Sequence, residues 1–207
     1  MYPALKNYMD GLSHDMASIP DVRRELLRTI TLSINESLRS DEQVKLNFIC
    51  THNSRRSHLA QIWCATWTTH FGLSDRIQSY SGGTEATAFH PNAVSALKRC
   101  GFQIDQEGKD NPLYLIYMDD SSAPLRSFSK TYDDPYNPRD GFMAIMTCSD
   151  ADENCPIVLG ASERFALTYD DPKISDGHVD QDATYDARCR QIAAEMGYLF
   201  VELEKLD

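Results

Sequence analysis

Residues 44 to 72, VKLNFICTHNSRRSHLAQIWCATWTTHFG, constrain this chain more than any other stretch. Val44, Leu46 and Phe48 alternate as a strand requires; a polar turn follows. Leu59, Ile62, Trp63 and Trp67 then recur at helical spacing up to the stop at Gly72. A buried strand that feeds a helix through a polar loop opens a crossover unit, and crossovers build parallel sheets. The alternation continues along the chain. IQSY (77 to 80) is a short strand stopped by Ser81-Gly82-Gly83, and His90-Pro91-Asn92 starts a helix with Val94, Leu97 and Cys100 on one side and Gly101 at its end. FMAIMTC (142 to 148) and RFALTY (164 to 169) are two more strands. A last helix from about Asp182 presents Cys189, Ile192, Met196, Leu199, Leu203 and Leu206. The expected fold class is therefore α/β with a parallel sheet.

Two segments stand outside this alternation. Pro20-Asp21 opens a helix carrying Val22, Leu26, Ile30, Ile34 and Leu38 at a four-residue period, so residues 1–43 read as a helical extension packed on a domain of residues 44–207. Between about 104 and 140 helix signals are fewest. FQID, the turn-rich QEGKDNP and the apolar LYLIYM (113 to 118) predict an inserted hairpin there.

Charge narrows the partners. Twenty Lys+Arg against thirty-one Asp+Glu leave a net charge of −11, the wrong sign for duplex nucleic acid or a polybasic membrane contact. The first twenty residues contain Lys6, Asp10 and Asp15 and no signal-length apolar run, and no stretch reaches the roughly 18 apolar residues of a membrane span. The expected location is the cytoplasm. Six cysteines, at 50, 64, 100, 148, 155 and 189, are too sparse for a disulfide scaffold, so each is packing or chemistry.

Cys50 falls at the C-terminal end of the first strand, where open α/β sheets place their sites. Thr51, His52, Asn53, Ser54, Arg55, Arg56 and Ser57 then wrap into a helix N-terminus, a loop that can aim several N–H groups at one tetrahedral oxyanion. The helix end and the Arg56 guanidinium favour a thiolate at Cys50, and the planar fork of Arg56 can grip two oxygens. Asn53 tolerates a left-handed backbone, and Ser57 can donate to the sulfur. Cys148 ends a buried strand seven residues before Cys155; that spacing fits no zinc knuckle, and SDADEN lacks the glycine and glutamate of a calcium loop. Two thiols on a flexible polar loop can meet as a disulfide if the loop refolds. No set of residues asks for a metal or cofactor. Asp171, in Asp170-Asp171-Pro172, is a candidate general acid for a leaving oxygen, with Asp134 in Tyr132-Asp133-Asp134-Pro135-Tyr136 as its rival.

Cys50-x5-Arg56-Ser57 in this setting resembles the low-molecular-weight protein tyrosine phosphatase superfamily. Together with CSDADENCP, YDDP, Tyr80-Ser81-Gly82-Gly83 and His90-Pro91, it is similar to the thioredoxin-coupled arsenate reductases built on that fold. The resemblance covers most of residues 44 to 206, but not the N-terminal helix or the stretch near 106–128, and Gln61 stands where these reductases often carry a glutamate. It implies a four-stranded parallel sheet in the order 2-1-3-4 with helices on both faces. It selects Asp171 over Asp134, because the family's acid follows the last sheet strand. It also implies a thiol relay: Cys50 attacks arsenate, Cys148 attacks Cys50 and expels arsenite, Cys155 resolves the disulfide, and a thioredoxin-type reductant resets the protein. Hydrolysis of a phosphate monoester through a Cys50 phosphocysteine is the alternative, and a redox-sensing or anion-binding regulator is a second. Cys64, Cys100 and Cys189 read as packing, Trp63 and Trp67 as core, and His52 as a loop residue rather than a ligand. Asp119 and Asp120 read as solvated surface.

Overall fold

In β1 (Val44–Cys50) every residue but Lys45 is buried, as a central strand covered on both faces requires. A computed structural model, describing residues 1–155 and 157–206, sets β1 between β2 (Ile77–Gly83) and β6 (Phe142–Met146), both parallel to it. β7 (Ala161–Ala166) extends the sheet beyond β6, giving the order β2-β1-β6-β7. That is the expected 2-1-3-4 arrangement. Pro156, which closes the CSDADENCP segment, and Asp207 lie outside the described residues.

Alternation along β1 separates two cores. Val44, Leu46 and Phe48 join the larger one, with α4 (Arg56–His70) and α7 (Gln181–Glu204). Ile49 and Cys50 join a smaller cluster with Phe142, Ala144, Met146, Cys148, Ala151 and Val158 on the face covered by α6 (Ser149–Asn154). α5 (Pro91–Arg99) lies between β2 and the inserted segment, and packs against α7. The insertion is a three-stranded antiparallel sheet: β3 (Gln103–Glu107), β4 (Leu113–Tyr117) and β5 (Leu125–Ser127). A hairpin was expected; β5 is the additional strand.

The N-terminal extension is three helices, not one: α1 (Pro3–Asp10), α2 (Ser13–Ala17) and α3 (Asp21–Arg39). α3 lies on α7 through Leu27, Ile30, Thr31 and Ile34, and Thr31 Oγ1 donates to Leu199 O at 3.2 Å. Val22, expected on the buried stripe, is 83% exposed. A strict four-residue period drifts about 40° per step around a helix of 100° per residue, so Val22 and Leu38 cannot share a narrow face. Its neighbour Arg23 instead donates to Glu195 at 2.8 Å, and Glu195 is buried. Leu206 is likewise exposed, because α7 ends at Glu204. β7 starts and stops about three residues earlier than RFALTY suggested, although Leu167 and Tyr169 beyond it stay buried. Asp119 is not free surface: its Oδ1 accepts the backbone N–H groups of Ser121 and Ser122 at 2.8 and 2.7 Å.

Candidate active site

β1 ends at Cys50 and α4 begins at Arg56, so the loop between them sits at the carboxyl edge of the sheet. Asn53 adopts φ +44°, a left-handed turn that folds the chain back on itself. Its side chain ties the loop together. Oδ1 accepts the backbone N–H of Lys130 at 2.9 Å, and Nδ2 donates to Ser57 Oγ at 2.9 Å. Ser57 Oγ lies 3.1 Å from Cys50 Sγ. Because Asn53 occupies one Ser57 lone pair as donor, the Ser57 proton is free for the sulfur. Among the described residues, no backbone carbonyl takes the N–H groups of His52 to Ser57. A loop carrying six such N–H groups in series suits an anion.

The loop side chains face outward and brace it. Ser54 Oγ donates to Ala88 O at 2.7 Å, and His52 Nε2 pairs with Glu85 at 2.9 Å. Thr87 and Ser129 hydroxyls both donate to His52 O. Arg55 turns away from the loop interior, donating to Tyr185 Oη at 2.6 Å and Asp176 Oδ2 at 2.8 Å. Around them His90 and Asn92 complete a network: Asn92 Nδ2 donates to Asp176 Oδ1 at 3.2 Å. Burial alone would raise the Asp176 pKa, but the Tyr185 hydroxyl and the Arg55, His90 and Asn92 groups together hold it below the ordinary value. Burial, then the Asp176 hydrogen bond, pushes Tyr185 up to about 12. Neither Asp176 nor Tyr185 was singled out in the sequence.

Arg56 is buried and makes two contacts beyond its own helix. Nη1 donates to Tyr169 O at 2.9 Å and Nη2 to Asp171 Oδ2 at 2.6 Å, while Nε has no partner among the described residues. Asp171 caps the short 3-10 turn Pro172–Ser175 by accepting from Lys173 N at 3.0 Å, which fixes its carboxylate beside Arg56. Asp134 is occupied differently, its Oδ1 accepting from Tyr136 N at 2.9 Å within its own turn. Gln61 is buried, with Nε2 donating to Ser79 O at 3.2 Å.

The second and third thiols lie on the opposite side of the loop. Cys148 Sγ is 3.5 Å from Thr51 Oγ1, is fully buried, and shares the small apolar cluster with Cys50. Cys155 is half-buried and packs against the same cluster. The segment joining them is not a flexible loop but the six-residue helix α6, opened by Cys148 Sγ accepting from Ala151 N at 3.4 Å. Acidic residues in its first turn suit the positive end of the helix. Cys148 and Cys155 thereby flank the two ends of α6, a helix about 9 Å long at about 1.5 Å per residue, whereas a disulfide needs Cα atoms within about 7 Å. Joining them requires α6 to unwind.

Comparison with known proteins places the chain in a family. Residues 45–112 match the family model "Low molecular weight phosphotyrosine protein phosphatase". An arsenate reductase of Staphylococcus epidermidis is 30% identical over 126 residues, which are 60% of this chain and 76% of that one. One from Bacillus licheniformis is 28% identical over 155 residues, 75% of this chain and 93% of the relative. In fold, a low molecular weight phosphotyrosine phosphatase from Vibrio cholerae O395 superposes with TM-score 0.54 at 14% identity, over 79% of this chain and 98% of that one. The chain belongs to the low-molecular-weight protein tyrosine phosphatase superfamily, on the branch of its arsenate reductases.

Proposed function

We propose that the protein reduces arsenate to arsenite by a relay through Cys50, Cys148 and Cys155. The observation that carries this reading is the gathering of all three thiols around one small apolar cluster, with Cys148 sulfur touching the Thr51 hydroxyl of the anion loop. A hydrolase acting through Cys50 alone has no use for the other two.

Arsenate, a tetrahedral anion, is held by the N–H groups of residues 51 to 57 and by Arg56, which shifts its fork from Asp171 towards the oxygens. The Cys50 thiolate, supported by the Ser57 hydroxyl, attacks arsenic. An arsenic–oxygen bond breaks, and Asp171 supplies the proton that lets the oxygen leave as water. Cys148 then attacks Cys50 sulfur. The sulfur–arsenic electron pair stays on arsenic, reducing it to arsenite, and a Cys50–Cys148 disulfide forms. Cys155 attacks Cys148 as α6 unwinds, freeing Cys50 and leaving Cys148–Cys155. A helix of only six residues is short enough to unwind at small cost. A thioredoxin-type dithiol returns two electrons to the half-buried Cys155 end.

A mutant pair separates this from phosphomonoester hydrolysis, which the Arg56–Asp171 pair could equally serve. Cys50→Ser abolishes both reactions. Cys148→Ser abolishes thioredoxin-linked arsenate reduction, followed as NADPH consumption, and spares aryl-phosphate hydrolysis. Arsenate reduction by Cys148→Ser at the wild-type rate rules out the relay; retention of both reactions by Cys50→Ser rules out Cys50 as the nucleophile, and a wild-type protein with neither activity is a non-catalytic anion binder.

A further inference from the structure

Two cysteines that the relay does not use meet inside the molecule. Cys100 ends α5 and Cys189 lies in α7, far apart in sequence, yet their sulfurs are 3.7 Å apart. They are 3% and 0% exposed. Trp63 Nε1 donates to Cys189 Sγ at 3.2 Å, and Tyr8 of α1 stacks on Trp63 with ring centroids 5.5 Å apart. The cover is close. A Cβ on Gly101 would come within 2.5 Å of Leu5 N, so α1 is seated directly on the chain where it leaves Cys100. Each sulfur has a distinct setting: the Cys189 thiol, against the effect of burial and helped by the Tyr8 hydroxyl, holds the Cys100 pKa below its usual value, whereas hydrogen bonding to Cys100 and burial push Cys189 well above.

We propose that Cys100 and Cys189 form a second dithiol–disulfide couple, sealed under the N-terminal extension, that crosslinks α5 to α7 on exposure to peroxide. The sulfurs stand roughly 1.7 Å short of a bond of about 2.05 Å, a gap that side-chain rotation and slight helix approach can close. Cys100 gives up its proton and its thiolate attacks a peroxide oxygen; the O–O bond breaks, the sulfur becomes a sulfenic acid, and the departing hydroxide takes the released proton and leaves as water. Cys189 attacks that sulfur and a second water departs with the Cys189 proton, leaving the disulfide. Two electrons pass to the peroxide, and a dithiol reverses the change. The crosslink joins the two elements that brace the anion loop. His90 caps α5, and its backbone N–H donates to Ser54 O at 2.8 Å; Tyr185, one turn before Cys189, accepts from Arg55. This couple is separate from the Cys50 cluster, so it locks the scaffold without consuming the relay.

The test treats the full chain with hydrogen peroxide, alkylates remaining thiols under denaturing conditions and maps the peptides. A Cys100–Cys189 linked peptide, quenched Trp63 emission and a Tm raised by several degrees are expected, all reversed by dithiothreitol. Cys189→Ser loses all three responses and keeps wild-type arsenate reduction under reducing conditions; Cys100→Ala serves the same purpose if Cys189→Ser folds poorly. Alkylated Cys100 and Cys189, at peroxide levels that fully oxidise Cys148 and Cys155, would overturn the proposal. So would over-oxidised Cys100 without a crosslink.

Discussion

Gly83→Ala probes how tightly the anion loop is held from outside. Gly83 ends β2, and its backbone is outside the left-handed region, so alanine carries no conformational penalty there. Space is the whole issue. An added Cβ would stand 2.3 Å from Glu85 O, 2.7 Å from Thr51 O and 2.8 Å from Asn53 N. All three are backbone atoms, two of them in the loop itself, and none can swing aside as a side-chain tip can. Restoring ordinary contact requires the loop to retreat by about 1 Å, and a misplacement of about 1 Å costs roughly 10²-fold in rate. Overpacking of this kind costs about 1–3 kcal/mol. At about 2–4 °C per kcal/mol for a chain of this size, Tm falls by roughly 2–12 °C. The assay is kcat/KM for thioredoxin-linked arsenate reduction beside a thermal melt. A Gly83→Ala protein with wild-type kcat/KM and Tm would refute the argument that the strand end clamps the loop.

Two further substitutions test the charges around the site. Asp171→Asn removes the proton donor while keeping an oxygen for Lys173 N, so kcat for arsenate reduction falls by about 10²–10⁴, and Tm falls as well because the buried Arg56 guanidinium loses its carboxylate; an unchanged kcat would remove Asp171 from the chemistry. Lys130 is buried, and burial lowers its pKa from 10.5 to about 8, opposed by Asp134. Between those values the unfolded chain binds the proton that the folded chain has released, so this group's contribution to stability rises with pH from about 8 to 10.5. Below pH 8 the folded protein carries the full cost of the buried ammonium. Lys130→Met therefore raises Tm at pH 7, and its advantage shrinks as pH climbs through that window. An advantage constant from pH 7 to 10.5 would contradict the assignment.

Periodicity made most of the scaffold legible. Strand β1, the loop and α4 follow from alternation giving way to helical spacing, and Asn53 marked the left-handed turn. What escaped was carried by distant contacts. Arg55, Asp176 and Tyr185 lie far apart in sequence and no local pattern links them, yet they hold one side of the loop. α6 escaped for another reason: five polar and acidic residues around a single alanine show no apolar stripe, and the helix is set by Cys148 at its start and buried Ala151 beneath it. The meeting of Cys100 and Cys189 belongs to the same class, since apolar helix faces predict burial without naming the neighbour.

The relay itself is tested most directly by a single turnover. The reduced protein is mixed with excess arsenate in the absence of any reductant, arsenite is counted, and the cysteines are mapped. The mechanism predicts one arsenite per chain, with Cys148 and Cys155 joined and Cys50 returned as a free thiol. No arsenite, or arsenite formed while Cys148 and Cys155 both remain free, would contradict it.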